Sequence, residues 1–223
     1  MGAVIGDILP LALGIMVSPI PIITAILMLL SPKAKGTSVG FLLGWVAGIV
    51  VVLTLFILLA SVIPQADADQ SQPVAGVIKI VLGALMLLLA VKQWRGRPKP
   101  GEQAALPTWM SAIDSMTAGK GLGLGFLLSA VNPKNLLMAA GAGVVIGSAQ
   151  LPTGDLVVAV VVFTVIAAAS IAVPVIGYLL ASSSLTKPLE SLRGWLVHNN
   201  ATVMAVLLLV IGVTLIGKGL GSF

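Results

Sequence analysis

The sequence predicts an all-α integral membrane protein with six transmembrane helices, arranged as two inverted three-helix repeats in which helices 1 and 4 are broken at proline motifs. Three observations lead to this fold class. First, 9% of the 223 residues are charged, 58% are hydrophobic and the mean hydropathy is +1.15, whereas a soluble domain carries roughly 25% charged residues. Second, six apolar stretches, at 5–30, 38–63, 74–94, 120–147, 154–181 and 199–219, are long enough to cross a hydrocarbon core of about 30 Å, which takes about 20 helical residues. Third, the loops between them alternate in charge. Lys33 and Lys35 occupy the first, Asp67 and Asp69 the second, and Lys92, Arg95, Arg97, Lys99 and Lys120 the third. Asp155 lies in the fourth, and Lys187 and Arg193 face Glu190 in the fifth.

Cationic loops stay on the cytoplasmic side, so loops one, three and five are expected inside and both termini outside, with Lys218 opposing weakly. The basic balance, +5 at neutral pH, therefore reports topology rather than nucleic-acid binding. The N-terminus has Asp7 and no Lys or Arg before Lys33. It lacks the basic start of a signal peptide, and its apolar stretch is expected to remain as helix 1. With no cysteine and a single histidine, His198, disulfides and thiolate metal sites are excluded, and no metal or cofactor is expected.

The third loop divides the chain into a first repeat at 1–94, a basic linker at 95–119 and a second repeat at 120–223. Three helices per repeat make any similarity between the halves an inverted one. Within the linker, Pro98, Pro100 and Gly101 mark a break. After Pro107, the spacing of Trp109, Met110, Ile113 and Met116 predicts a short interfacial helix; an ordered loop with Trp109 dipping into the membrane is the alternative.

Helix 1 carries Ser18-Pro19-Ile20-Pro21 near its middle, and helix 4 carries Asn132-Pro133-Lys134-Asn135 at the corresponding place. In each, a favoured N-cap residue precedes a proline, which suits the first position of a helix. Both read as mid-membrane restarts. Backbone groups freed by such breaks are tolerated only inside protein or beside a watery cavity, so both motifs are expected to face the bundle interior. The positive ends of the restarted half-helices would attract an anion. Lys134 adds a full charge that costs about 2.5–3.5 kcal/mol to bury at helix centre, and no carboxylate lies at its depth. The expected site is therefore Ser18, Pro19, Pro21, Asn132, Pro133, Lys134 and Asn135, completed by an anionic ligand or by hydration. The competing reading is a proline kink whose lysine is held by trapped water or a neighbouring carbonyl.

Lys79 and Asp7 lie at similar depth near the outer face, and a structural ion pair or snorkelling is expected of them. Thr24, Thr54, Thr164, Ser170 and Tyr178 could line a path, but singly carry little information. Gly40, Gly44 and Gly48 form a small-residue stripe on helix 2 that invites close approach of another helix, with a partner in the same chain preferred. Gly119, Gly121, Gly123 and Gly125 suit tight packing; they match no P-loop.

These features resemble the LysE superfamily of exporters. Within it, Ser18-Pro19-Ile20-Pro21, the basic linker at 92–100 and the run from Ser129 through Asn132-Pro133-Lys134-Asn135 to Leu136 resemble the GAP family, also called the Sap or peptidoglycolipid-addressing proteins. The resemblance spans essentially the whole chain. It implies a transporter in the bacterial inner membrane that moves envelope glycolipids such as glycopeptidolipids and sulfolipids, with Pro19, Pro21, Asn132, Pro133 and Lys134 at the translocation site. Ile20 stands where the amino-acid exporters have glycine, which favours the lipid branch. A small-solute exporter for amino acids or ions is the alternative, and it would need a closed watery cavity instead of an acyl-sized groove. No enzyme is expected: there is no Cys nucleophile, no HExxH and no intramembrane Asp pair. Membrane lipid is the expected partner; lipid-synthesis machinery, a periplasmic partner and a second copy of the chain are left open, as is the energy source.

Overall fold

The computed structural model describes residues 1–62, 73–97 and 108–223, without the side chains of 108, 109, 111, 114 and 182–184. The acidic second loop with Asp67 and Asp69, the linker from Pro98 to Pro107 and the side chain of Trp109 lie outside the described residues. What is described is helical throughout: α1 (Gly2–Met16), α2 (Pro19–Leu29), α3 (Ala34–Ser61), α4 (Pro73–Arg95), a 3₁₀ turn (Thr108–Ser115), α5 (Ala118–Ala130), α6 (Pro133–Ser148) and a long helix from Thr153 to Leu220. The last is kinked at Ala181, whose φ of −147° and ψ of 55° are not helical. The kink separates α7 (Thr153–Ala181) from α8 (Leu185–Leu220).

By length and composition α3, α4, α7 and α8 can each cross a bilayer, and α1 with α2, bent by 51°, makes a fifth candidate. The stretch expected as the fourth span is divided between α5 and α6, with 13 and 16 residues, each too short to cross alone. Together they run beside α3 in the same direction over most of its length. A Cβ on Gly40 or Gly44 would meet the backbone of Ala118 or Leu122 in α5, and one on Gly143 or Gly147 of α6 would meet Phe56, Ile57 and Ala60 of α3. The small-residue stripe on α3 thus has its partner within the chain. Its glycines and Gly121 and Gly125 of α5 interlock, so that the two backbones nearly touch, the contact mode of membrane helices, which lack a hydrophobic drive to associate.

Across the bundle, α4 and α8 pack antiparallel through Gly76 against Gly219 and Gly83 against Gly212. α1 runs antiparallel to both α6 and α8: Leu11 lies against Gly141, and Gly14 against Met138 and Ile211. At one end of the bundle, the starts of α1 and α4 meet the end of α8. Lys218 pairs with Asp7 at 2.6 Å, and Lys79 donates to Ser222 at 3.3 Å. Asp7 is thus in an ion pair, formed with Lys218, while Lys79 shares that end of the bundle and bonds to Ser222. The expected short helix is present as a 3₁₀ helix, but its Met110 and Ile113 are buried in the protein core and not turned to a membrane interface. The core itself is a continuous apolar cluster drawn mainly from α1, α2, α3, α6, α7 and α8, with Phe41 and Trp45 fully buried and stacked within it. Many large apolar side chains point outward, among them Leu58, Leu88, Val165 and Leu180, as lipid-facing positions require.

Candidate functional site

Each break follows from local chemistry. Proline disfavours helical geometry in the residue before it, and Ser18 (φ −109°, ψ 97°) and Asn132 (φ −62°, ψ 119°) are both extended. Pro19 and Pro133 then open α2 and α6 at a position where a missing N–H costs nothing. Asn132 caps as expected, its side chain accepting from the Lys134 amide at 3.1 Å. Ser18 does not: its hydroxyl donates to Asn135 Oδ1 at 3.0 Å, and no side-chain cap bond is made at α2.

That bond ties one break to the other. Asn135 also donates through Nδ2 to the Leu128 carbonyl at 3.0 Å, satisfying an acceptor that α5 leaves open at its C-terminal end. Lys134 reaches from the first turn of α6 to the end of α1, where its ammonium donates to the carbonyls of Gly14 at 2.5 Å and Val17 at 3.2 Å. Ser170 of α7 donates to the Met16 carbonyl, also at 2.5 Å. The acceptors released by breaking helix 1 are therefore taken by a lysine and a serine from other helices. The C-terminal end of a helix carries partial negative charge, so a cation is favoured there.

This arrangement answers how Lys134, only 3% exposed, lives without a carboxylate. A pair of neighbouring carbonyls holds it in this structure, which is the alternative to an anionic ligand. Ser18 and Asn135 are buried with it, as are Pro19 and Pro21. Asn132 is half-buried and Pro133 exposed, so the second motif does not face inward as a whole. On a helix, Lys134 and Asn135 turn away from Pro133 by roughly 100° and 200°, and only they point into the bundle. Of the other polar residues, Thr24 bonds back to the Ile20 carbonyl, Thr54 is exposed and the Thr164 hydroxyl is buried without a partner among the described residues. Gly36-Thr37-Ser38-Val39-Gly40 has the spacing of a serine-hydrolase elbow, but that motif needs a strand-turn-helix setting. Ser38 lies inside α3, and its buried hydroxyl bonds to no histidine or other group among the described residues.

Two cavities lie along α2, one beside the first break and one at the opposite end of the helix. One, of about 550 Å³, is a groove between the break and the α7–α8 kink, lined by Met16, Ile22, Val173, Gly177, Leu189 and Leu192 among others, with Ser170 as its polar member. The other, of about 560 Å³, lies at the α2–α3 turn and is lined by Lys33, Lys35, Thr117 and Tyr178 among others. Neither is lined by Lys134. Sequence reasoning missed the groove, because its walls are the residues of any lipid-facing helix. It found Ser170 only as one of five polar candidates.

Apolar helices of spanning length, with two interior breaks clamped to each other by buried polar side chains, define a multi-pass helical membrane protein. The chain belongs to the family described as Sap, sulfolipid-1-addressing protein, whose model matches residues 8–221. No curated protein and no solved structure matches it.

Proposed function

We propose that this protein is a transporter that moves an anionic envelope lipid, a sulfolipid or related glycolipid, outward across the bacterial inner membrane. The observation that carries the reading is the apolar groove of about 550 Å³, within the size range of ligand pockets, which opens beside the broken helix. A lipid exporter needs such a groove for a chain, whereas an exporter of amino acids or ions needs a watery one. Among the described residues Ser170 alone interrupts the apolar walls, and its hydroxyl donates to the Met16 carbonyl. The family's description names sulfolipid-1, and a sulfated lipid is anionic.

In this reading α5 and α6 together form the sixth crossing, giving two inverted three-helix repeats. Their course beside α3, in the same direction and over most of its length, supports it. The cavity at the α2–α3 turn gathers the first loop, the start of α5 and the end of α7, so the basic loops share one side. By the positive-inside rule that side is cytoplasmic and both termini are outside. The lipid chain occupies the groove while its head group passes the paired breaks. There it competes with the carbonyls of Gly14 and Val17 for Lys134, and Ser18, Pro19, Pro21, Asn132, Pro133 and Asn135 shape the passage.

The test is a comparison of surface lipids in a deletion strain and in strains restored with the wild type, Lys134→Ala or Gly177→Phe. A Cβ on Gly177 already lies 3.2 Å from Leu185, so phenylalanine would fill the groove. Deletion is expected to strip an anionic lipid from the cell surface, with restoration by the wild type and by neither variant at equal membrane abundance. Unchanged lipids on deletion would overturn the proposal. Full restoration by both variants would make the protein a non-transporting assembly partner.

A further inference from the structure

The cavity at the α2–α3 turn has a composition unlike the groove. Lys33 and Lys35 line it together with the hydroxyl-bearing Ser31, Thr37, Thr117 and Tyr178. Among the described residues neither lysine meets a carboxylate; the ion pair there is Lys218 with Asp7, at the other end of the bundle. Two helix starts converge on the cavity, that of α3 after Lys33 and that of α5 after Thr117. Helix starts carry partial positive charge and N–H groups that the helix itself does not pair; one of those at α5, from Lys120, is taken by the Thr117 hydroxyl. A pocket of this size that combines two helix starts with two ammonium groups lacking a carboxylate partner among the described residues selects an anion.

The same helices border both cavities. Tyr178 lines the basic one, and the adjacent Gly177, with Pro174 one turn away, lines the groove. On α2, Ile22 borders the groove, and the basic cavity begins at Ser31, just past the helix end. At about 1.5 Å per residue, Ile22 and Ser31 are roughly 13 Å apart along the line of α2. A lipid has this layout, with charge at one end and an apolar chain about that far away.

We infer that the basic cavity is the seat for a phosphate or sulfate ester head group, gripped by Lys33 and Lys35, with the chain of the same molecule running along the α2–α7 seam into the groove. This rests on the lipid reading above and adds a head-group site separate from Lys134, at the end of the bundle where the basic loops gather. It gives the two lysines a role besides topology.

Purified protein in a neutral maltoside detergent, where loop charge no longer sets topology, allows the two roles to be separated. Isothermal titration with dihexanoyl phosphatidic acid, dihexanoyl phosphatidylcholine and inorganic phosphate supplies the three arms. The wild type is expected to bind phosphatidic acid most tightly. Lys33→Gln with Lys35→Gln should weaken that binding about thirtyfold, the loss expected on neutralising two lysines near an anionic lipid, and leave phosphatidylcholine unchanged. Lys33→Arg with Lys35→Arg should retain it, which separates charge from misfolding. Equal binding of phosphatidic acid by the wild type and the glutamine variant overturns the head-group seat while leaving the lipid reading intact. Inorganic phosphate binding as tightly as phosphatidic acid overturns it in favour of a free-anion site. Failure of the wild type to bind either lipid removes both.

Discussion

Replacing Lys134 with methionine removes the ammonium and keeps a flexible apolar stem of similar length. The Gly14 and Val17 carbonyls, held at 2.5 and 3.2 Å, are then left without that donor in a site where the lysine is 3% exposed. An orphaned buried acceptor costs about 1–3 kcal/mol, so the pair costs about 2–6 kcal/mol. Removing a charge from the middle of a membrane protein returns about 2.5–3.5 kcal/mol. The two terms largely cancel, and global stability is therefore a poor readout. The orphaned acceptors act locally, by weakening the end of α1 and the turn into α2. Hydrogen exchange in detergent reads this directly, since Val17 donates to the Leu13 carbonyl and Ile22 to the Ser18 carbonyl. At the lower figure of about 1 kcal/mol for each acceptor, exchange of these amides should quicken about thirtyfold where it follows the open population. Ser170→Ala, which frees only the Met16 carbonyl, should give about fivefold by the same measure. Exchange unchanged from Val17 through Ile22 in the Lys134 variant would refute the clamp.

The remaining predictions concern how the helices are held. Ser18→Ala and Asn135→Ala should be non-additive, with a double-mutant cycle of thermal stability giving a coupling of about 1 kcal/mol; additive losses would deny the bond between the breaks. Gly44→Leu should displace α5 and lower stability by at least about 1–3 kcal/mol, because a Cβ there falls on the Leu122 backbone and cannot be relieved by rotating a side chain. Gly123→Ala, with nothing within 4 Å, should change stability by less than about 1 kcal/mol, and heat-induced loss of the monodisperse peak separates the two. Asp7→Asn breaks a pair whose carboxylate is 46% exposed and should likewise cost less than about 1 kcal/mol.

The two breaks were legible in sequence because capping is local: Ser-Pro and Asn-Pro set the backbone whatever surrounds them. The glycines of α3 declared close packing, and the structure supplied the partner. Lys134 shows where this legibility stops. The absence of a carboxylate near it suggested an anion, yet its bond acceptors are backbone carbonyls freed by the other broken helix, and carbonyls leave no trace in residue type. Asp7 chose Lys218 over Lys79 because helix rotation, which hydropathy cannot reveal, decides who meets whom. The groove was illegible for the opposite reason: Leu189 and Leu192 are ordinary for a membrane helix, and only the α7 kink at Ala181 turns them into a wall. The basic cavity stood half visible, its lysines read as markers of topology.

The central claim, that the groove beside the break holds an envelope lipid, is tested most directly by a diazirine amino acid placed at Leu192 in cells, with Leu180 as the comparison. Leu192 lines the groove, and Leu180 is 82% exposed on the outer face of α7. After photolysis, mass spectrometry of the purified protein should find the anionic envelope lipid enriched on Leu192 over its share of the membrane, and ordinary phospholipids on Leu180. Identical bulk phospholipid adducts at both positions would contradict the account.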